Sequence, residues 1–169
     1  APVVAIAGGL GSFEPRKPPI SNIEQYEDMG IDYIIKDPEK YRGKKVVIAG
    51  GGDSALDWSI ILADIAAEVS LVHRRTSFRG ALDSVEKVME LAQKGKIHLI
   101  TNAQIIGLNG DERLKEVVIK EEGTENYSRQ VDYFIPLFGL APKLGPIGEW
   151  GLEIEDNAIV VNTMDYSTN

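Results

Sequence analysis

The sequence has no cysteine and only two histidines among its 169 residues. Without thiols, the chain can form no disulfide, no thiolate metal site and no dithiol redox centre of its own. No apolar run approaches the roughly 20 residues that a membrane-spanning helix needs, and no signal peptide is recognisable. The expectation is a cytoplasmic protein with no metal site and no membrane partner.

The chain is acidic, with a formal net charge of -8, and 43% of its residues are apolar. That apolar content is enough to bury one sizeable core. The negative charge argues against nucleic acid or an anionic membrane as a partner. A basic cluster in such a chain is a local exception, and its small extent favours a small anionic ligand.

A glycine turn after an apolar strand is the most informative stretch. Residues 44–49 have the continuous β-branched pattern of a strand that is buried on both faces, and a helical pattern starts at Ser54. Gly50, Gly52 and Ala55 occupy the G-x-G-x-x-A positions of a dinucleotide-binding turn. The amides of Gly51, Gly52, Asp53 and Ser54 would then face a pyrophosphate. An ordinary strand-to-helix turn is the alternative.

A cationic cluster follows the next strand, residues 69–72. It comprises His73, Arg74, Arg75 and Arg79, and it stands where an NAD site carries an acid for the ribose 2′-hydroxyl. Guanidinium groups match a phosphate in geometry and charge, so the cluster favours NADP(H) over NAD(H). A basic loop exposed to solvent is the alternative.

The remaining pattern predicts an α/β fold. We expect a helix over residues 81–94, a third parallel strand at 97–100, and three antiparallel strands at 105–108, 114–120 and 127–132. Residues 132–139 read as a strand that returns to the parallel sheet, and Phe138 and Gly139 at its end are candidates for the nicotinamide half of the site, or a simple turn. Buried strands at 3–7 and 31–36, a second glycine turn at 8–11 and a hairpin at 156–157 complete the prediction. The fold class is a Rossmann-like parallel sheet with an inserted antiparallel β-meander.

Three blocks of the sequence carry a resemblance that covers essentially the whole chain. They are residues 50–58 (GGGDSALDW), residues 73–79 (HRRTSFR) and residues 139–152. Together they resemble the FAD/NAD(P)-binding flavoprotein reductases with two dinucleotide sites, and within these the thioredoxin-reductase-like ferredoxin–NADP reductases. The resemblance implies an NADP(H)-binding domain at 18–155, with stubs of an FAD domain at 1–17 and 156–169. The motifs for flavin are not found in this stretch, so we expect FAD in the full-length enzyme but not on this chain alone.

The resemblance also implies a reaction and its partners. Thioredoxin reductases carry a C-x-x-C pair before the glycine turn, and residues 33–38 here contain no sulfur. The implied electron acceptor is therefore ferredoxin or flavodoxin, reached from reduced flavin in a homodimeric enzyme. No residue is predicted to act as an acid, base or nucleophile; Asp57 is expected to bind ribose or to cap local structure.

Two other functions stay open at this point. The same binding residues would serve a free-standing NADP(H) sensor or regulatory module without an FAD domain. They would also serve a thioredoxin-reductase-like protein without its cysteine pair, or another reductase of the superfamily whose cysteines lie elsewhere. The chain begins with Ala1-Pro2, and we expect it to be a fragment. The sequence on either side would separate the alternatives.

Overall fold

The computed structural model describes residues 3–8 and 12–169. The chain divides into two compact units: Lys17–Gly139 forms one, and Ala1–Arg16 together with Leu140–Asn169 forms the other. The α-helices and β-strands, in chain order, are β1 (Ser12–Pro15), β2 (Lys45–Gly50), α1 (Asp53–Leu62), β3 (Glu68–Val72), α2 (Leu82–Gln93), β4 (His98–Ile100), β5 (Ala103–Gly110), β6 (Leu114–Glu121), β7 (Tyr127–Gln130), β8 (Tyr133–Leu137), β9 (Leu140–Lys143), β10 (Ile154–Glu155) and β11 (Ala158–Ile159). Short 3₁₀ helices lie at Ile23–Tyr26, Pro38–Tyr41 and Gly145–Glu149.

A four-stranded parallel sheet forms the centre of the larger unit, in the order β4-β3-β2-β8. Successive residues of β2 enter different cores: Val46 and Ile48 pack with α1 and α2, whereas Val47 and Ala49 face the other side. A strand covered on both faces needs an apolar residue at every position. This explains the continuous apolar run in the sequence, and it confirms the parallel sheet that the run predicted.

The antiparallel meander is a separate three-stranded sheet, in the order β5-β6-β7. Its inward side chains include Ile105, Val117 and Ile119, which pack in one core with Val47 and Phe134 of the parallel sheet. The meander therefore covers one face of the parallel sheet while the two helices cover the other. All three predicted antiparallel strands are present, with somewhat different ends.

The smaller unit contains short antiparallel pairs. β1 pairs with β9, and β10 pairs with β11 across a turn at Asp156 and Asn157. Both turn residues have left-handed backbone angles, with φ of 47° and 65°. Asn and Asp tolerate this region and form tight hairpins, so the hairpin predicted at these residues is confirmed.

Two strand predictions are wrong. Residues 3–7 form no strand, and Val3 is 80% exposed, because no strand among the described residues pairs with this segment. In residues 31–36 only Ile31 makes isolated bridges, to Glu27 and Phe134. Apolar residues signal burial, but a strand also needs a partner with free hydrogen-bonding groups. The glycine turn predicted at 8–11 lies largely outside the described residues.

The larger unit ends at Gly139, whereas the sequence placed the end of the NADP(H) domain near residue 155. The intervening segment contains β9, a 3₁₀ helix at Gly145–Glu149 and the first strand of the terminal hairpin. β9 is hydrogen-bonded to β1 and so belongs with the smaller unit. The assignment of the units to particular cofactor domains stays a prediction.

Candidate functional site

Three segments that the sequence singled out meet at one edge of the parallel sheet. β2 ends at Gly50, which pairs with Leu137 at the end of β8, and Ala49 pairs with Val72 at the end of β3. The strands are parallel, so the glycine turn, the loop from His73 and the Phe138–Gly139 turn all leave from the carboxyl edge. This is the edge at which open α/β sheets bind ligands.

The three glycines of the turn have different surroundings. A Cβ at Gly50 would lie 2.7 Å from the Leu137 carbonyl oxygen and 2.8 Å from the Ala55 Cβ. Gly50 is therefore required by strand and helix packing. Gly52, in contrast, has nothing within 4 Å of a Cβ position. The space beside Gly52 is open, and a ligand can approach the backbone there.

Helix α1 begins directly at this open space. Gly52 is its N-cap residue, so no side chain caps the first turn, and the Gly52 carbonyl accepts from the amides of Ala55 and Leu56. The amides before these have no acceptor within the helix, and the positive end of the helix dipole lies at the same place. Asp53 and Ser54 are exposed. This geometry suits an anionic group at Gly51–Ser54.

The loop after β3, residues 73–81, is fastened to the glycine turn. The Arg79 amide donates to the Gly51 carbonyl at 2.8 Å, and the Ala81 amide donates to the Asp53 carboxylate at 2.7 Å. A Cβ at Gly80 would come within 2.5 Å of the Leu56 side chain and 3.2 Å of the Asp53 amide nitrogen, so a side chain here would have to displace the buried Leu56 methyl group. These contacts hold the predicted arginines next to the predicted phosphate turn.

The guanidinium groups of this loop are exposed to solvent and available to bind an anion. Arg74, Arg75 and Arg79 form no ion pair or side-chain hydrogen bond with any residue that the structure describes. Arg42 and Arg129, by comparison, are paired with Glu39 and Glu68. In a protein of net charge -8, three neighbouring arginines without carboxylate partners form a marked positive site.

Asp53 and Asp57 serve helix α2 in this structure. Asp53 accepts the Ala81 amide at the start of that helix, and Asp57 accepts the Ser84 hydroxyl at 2.8 Å. A carboxylate at a helix N-terminus is favourable for the dipole and replaces a missing cap. Of the two roles expected for Asp57, this contact matches the capping of local structure. Ribose binding by Asp57 and pyrophosphate binding at Asp53 stay predictions.

His73 lies inside the loop and is only 7% exposed. Its Nε2 lies 3.1 Å from the Ser77 carbonyl oxygen, and its ring stacks on Phe78 with centroids 4.8 Å apart. Burial lowers the pKa of His73, and the charges of Arg74 and Arg75 act in the same direction, while hydrogen bonds with the Ser77 and Gly50 backbone act against them. A buried neutral imidazole is a weaker phosphate ligand than an exposed guanidinium, and its predicted contact with the cofactor is untested.

Phe138 and Gly139 follow β8 at the same edge. Phe138 is 42% exposed, and Gly139 has a φ of +84° with nothing within 4 Å of a Cβ position. Their position at this edge is consistent with the nicotinamide half of the binding site, and that role stays a prediction. Sequence reasoning missed Gly80, although a glycine just before a predicted helix is a signal of close approach.

Within residues 3–8 and 12–169, no cluster of potential metal ligands occurs. Over the same ranges, no helix has the length and apolar content to cross a bilayer.

The sequence matches the family described as pyridine nucleotide-disulphide oxidoreductase over residues 4–168. It is 69% identical to ferredoxin–NADP reductase 2 of Christiangramia forsetii, covering 100% of this chain and 49% of that protein. It is 68% identical to ferredoxin–NADP reductase of Flavobacterium johnsoniae, covering 100% of this chain and 48% of that protein. The chain therefore spans about half the length of these relatives.

Among solved structures, thioredoxin reductase of Lactococcus lactis matches with a TM-score of 0.76 and 22% identity, over 94% of this chain and 52% of that chain. This likeness shows the fold, and it confirms the Rossmann-like class with its inserted meander. The resemblance drawn from the three sequence blocks is confirmed as well. The chain belongs to the pyridine nucleotide-disulphide oxidoreductase family.

Proposed function

We propose that this chain is the NADP(H)-binding part of a flavoprotein reductase that transfers electrons from NADPH through FAD to ferredoxin or flavodoxin. One observation carries the proposal: the loop with three unpaired arginines is hydrogen-bonded to the glycine turn through Arg79 and Gly51. Two anion-binding features thus lie side by side, as a dinucleotide with an additional phosphate requires.

The residues at this edge fit NADP(H). Gly52 leaves open the space that a side chain would fill, and the first amides of α1 are donors for the pyrophosphate. Arg74, Arg75 and Arg79 are donors for the 2′-phosphate. Bound NADPH would supply the hydride. The chain's own contribution is to bind and orient the cofactor, and the proposal assigns none of its residues as an acid, base or nucleophile.

The acceptor is inferred from the missing thiols and from the relatives. Residues 33–38 contain no cysteine, and none of the 169 residues of this chain is a cysteine that could relay electrons as a dithiol. The curated relatives are named ferredoxin–NADP reductases. The proposal includes an FAD domain in the same polypeptide, a homodimer at full length and a cytoplasmic location.

The binding proposal is tested by titrating the 169-residue chain with NADPH and with NADH in a calorimeter. We expect NADPH to bind at least about tenfold more tightly, with a preference that declines as salt is raised, because screening weakens exposed charge pairs. Equal affinity for the two nucleotides would contradict the NADP(H) assignment. We also expect the purified chain to be colourless and to oxidise no NADPH; stoichiometric bound FAD would contradict the domain boundaries.

The reductase proposal needs the longer protein of which this chain would be a part. We expect that protein to reduce ferredoxin or flavodoxin with NADPH, and not thioredoxin. Reduction of thioredoxin alone would refute the choice of acceptor while leaving the NADP(H) site intact.

A further inference from the structure

The second glycine of the turn has a different role from its neighbours. A Cβ at Gly51 would lie 2.0 Å from Cε1, 2.3 Å from Nδ1 and 2.6 Å from Nε2 of His73. Atoms at such distances overlap, so no side chain fits at position 51 while the imidazole stays where it is. Gly51 thus accommodates His73, whereas Gly52 leaves room for a ligand.

The His73 ring connects this glycine to the middle of the arginine loop. Beside Gly51, the ring contacts the Ser77 carbonyl oxygen at 3.1 Å and stacks on Phe78. Its backbone is fixed as well, since the amide donates to the Ile100 carbonyl and the carbonyl accepts from the Ala103 amide. The ring is therefore a rigid support, with the loop wrapped around it on one side and the turn packed against it.

The arginines lie on both sides of this support. Arg74 and Arg75 follow His73 directly, and Arg79 follows Phe78 and donates its amide to the Gly51 carbonyl. If the ring were removed, the loop would lose its stacking partner and its spacing from the turn. The guanidinium groups would then be free to move away from the position that a 2′-phosphate occupies relative to the pyrophosphate.

We propose that His73 is a positioning residue for cofactor choice: its ring, seated on Gly51, sets the distance between the arginine loop and the glycine turn. It acts through the arginines and is not itself a phosphate ligand. This inference rests on the proposed NADP(H) site. It predicts that the preference for a 2′-phosphate depends on a side chain that need not contact the phosphate.

The first test compares His73→Ala with the wild-type chain, using NADPH and NADH as probes in calorimetry. We expect NADPH affinity to fall about tenfold and NADH affinity to change by less than about twofold, because only the 2′-phosphate contacts are misplaced. His73→Gln, which keeps a donor for the Ser77 carbonyl, should restore part of the preference. Equal losses for both nucleotides would show a general structural role and overturn the proposal, as would no change for either.

The chain offers a matched control in its other histidine. His98 is exposed on the neighbouring strand β4, so His98→Ala should leave both affinities unchanged. A comparable loss of NADPH preference in this control would overturn the assignment to His73.

A second test keeps the proposal measurable if His73→Ala unfolds the chain. In the double variant Gly51→Ala with His73→Ala, the added methyl group occupies space that the ring has vacated. We expect it to be folded by circular dichroism and to melt above Gly51→Ala alone, while the NADPH preference remains weakened. A double variant with wild-type preference would overturn the proposal. So would a Gly51→Ala substitution that lowers the melting temperature equally with histidine or alanine at position 73.

Failure of this inference differs from failure of the NADP(H) site. If the wild-type chain shows no NADPH preference, the proposed function fails. If the preference exists and is lost in Arg74→Ala with Arg75→Ala but kept in His73→Ala, only the role of His73 fails.

Discussion

The two edges of the parallel sheet handle positive charge differently. At the amino edge, Lys40 pairs with Asp32 at 2.7 Å, Arg129 with Glu68 at 2.8 Å and Lys96 with Asp64 at 2.5 Å. At the carboxyl edge, Arg74, Arg75 and Arg79 have no carboxylate partner among the residues that the structure describes. Within those ranges Lys44 and Lys45, at the start of β2, are also without an ion-pair partner, so the difference between the two edges lies in their arginines: Arg129 is paired, and the three arginines of the loop are not.

The nearby acids sharpen this difference. Asp53 lies beside the end of the arginine loop and accepts the Ala81 amide, and Asp57, one turn further along α1, accepts the Ser84 hydroxyl. An acid that paired with the arginines would compete with an incoming phosphate. At the carboxyl edge, the acids are thus hydrogen-bonded to helix α2 and the arginines are left for an anion. At the amino edge, ion pairs join strand β7 to strand β3 and join segments between the strands to each other.

The largest expected effect comes from closing the open space at the carboxyl edge. Gly52→Val should abolish dinucleotide binding, because the side chain would occupy the space beside the first amides of α1. The fold should survive, since Gly52 has an extended backbone with φ of -101° and nothing lies within 4 Å of a Cβ position there. Calorimetry and circular dichroism test the two parts.

Gly51→Ala is the matched control for this change. The Gly51→Ala variant places a smaller substituent in the same turn. Its free energy of unfolding should fall by roughly 1–3 kcal/mol, because the added methyl group overlaps the His73 ring. A Gly52→Val variant with unchanged affinity would move the site away from this turn.

Removing the unpaired positive charge of the loop after β3 should have the next largest effect. Arg74→Ala with Arg75→Ala should weaken NADPH binding by roughly 10- to 1000-fold, since each charge-assisted hydrogen bond contributes about 1.5–3 kcal/mol before screening. NADH binding should hardly change. Titrations with both nucleotides at low and high salt measure this, and equal losses would mean that the arginines hold the fold or the pyrophosphate.

At the amino edge, removing the charge of Arg129 should change the stability of the fold and leave the NADPH affinity unchanged. Arg129 donates through Nε and Nη2 to one oxygen of Glu68, at 3.1 and 2.8 Å, in a partly buried pair. Arg129→Met should reduce the free energy of unfolding by about 1 kcal/mol in urea titrations and leave NADPH affinity unchanged. A clear loss of NADPH affinity would remove the functional distinction between the two edges.

The smallest expected effect is a pH dependence of stability at the carboxyl edge. Because burial lowers the pKa of His73 in the folded state, the unfolded state takes up its proton first as pH falls. The stabilisation is fully present above the ordinary pKa of about 6.5 and is lost as pH falls through the folded-state pKa. Thermal melts from pH 8 to 5 should show a steeper decline for the wild-type chain than for His73→Gln. Parallel curves would contradict this.

Much of the larger unit could be predicted from local sequence pattern. The continuous apolar run of β2, the alternation in the meander and the helical spacing of α2 each specify an element through its own residues. In the smaller unit, the hairpin at Asp156 and Asn157 could also be predicted from the sequence, because both residues tolerate the positive φ that the turn needs. Patterns fail where partners are remote, as at residues 3–7, which are apolar but pair with no described strand.

The sequence by itself determined that a glycine turn and an arginine cluster follow two consecutive parallel strands, and that these 169 residues supply no thiol. Parallel strands place those segments at one edge, so the NADP(H) hypothesis needed no coordinates. Only the tertiary structure decided what each residue does there. It assigned Gly50 to packing, Gly51 to the His73 ring and Gly52 to open space, and it turned Asp53 and Asp57 towards α2. Apart from the approach of Gly50 to Ala55, the contacts behind these roles join residues more than twenty positions apart. Spacing along the chain carries no information about which side chain will occupy a neighbour's space.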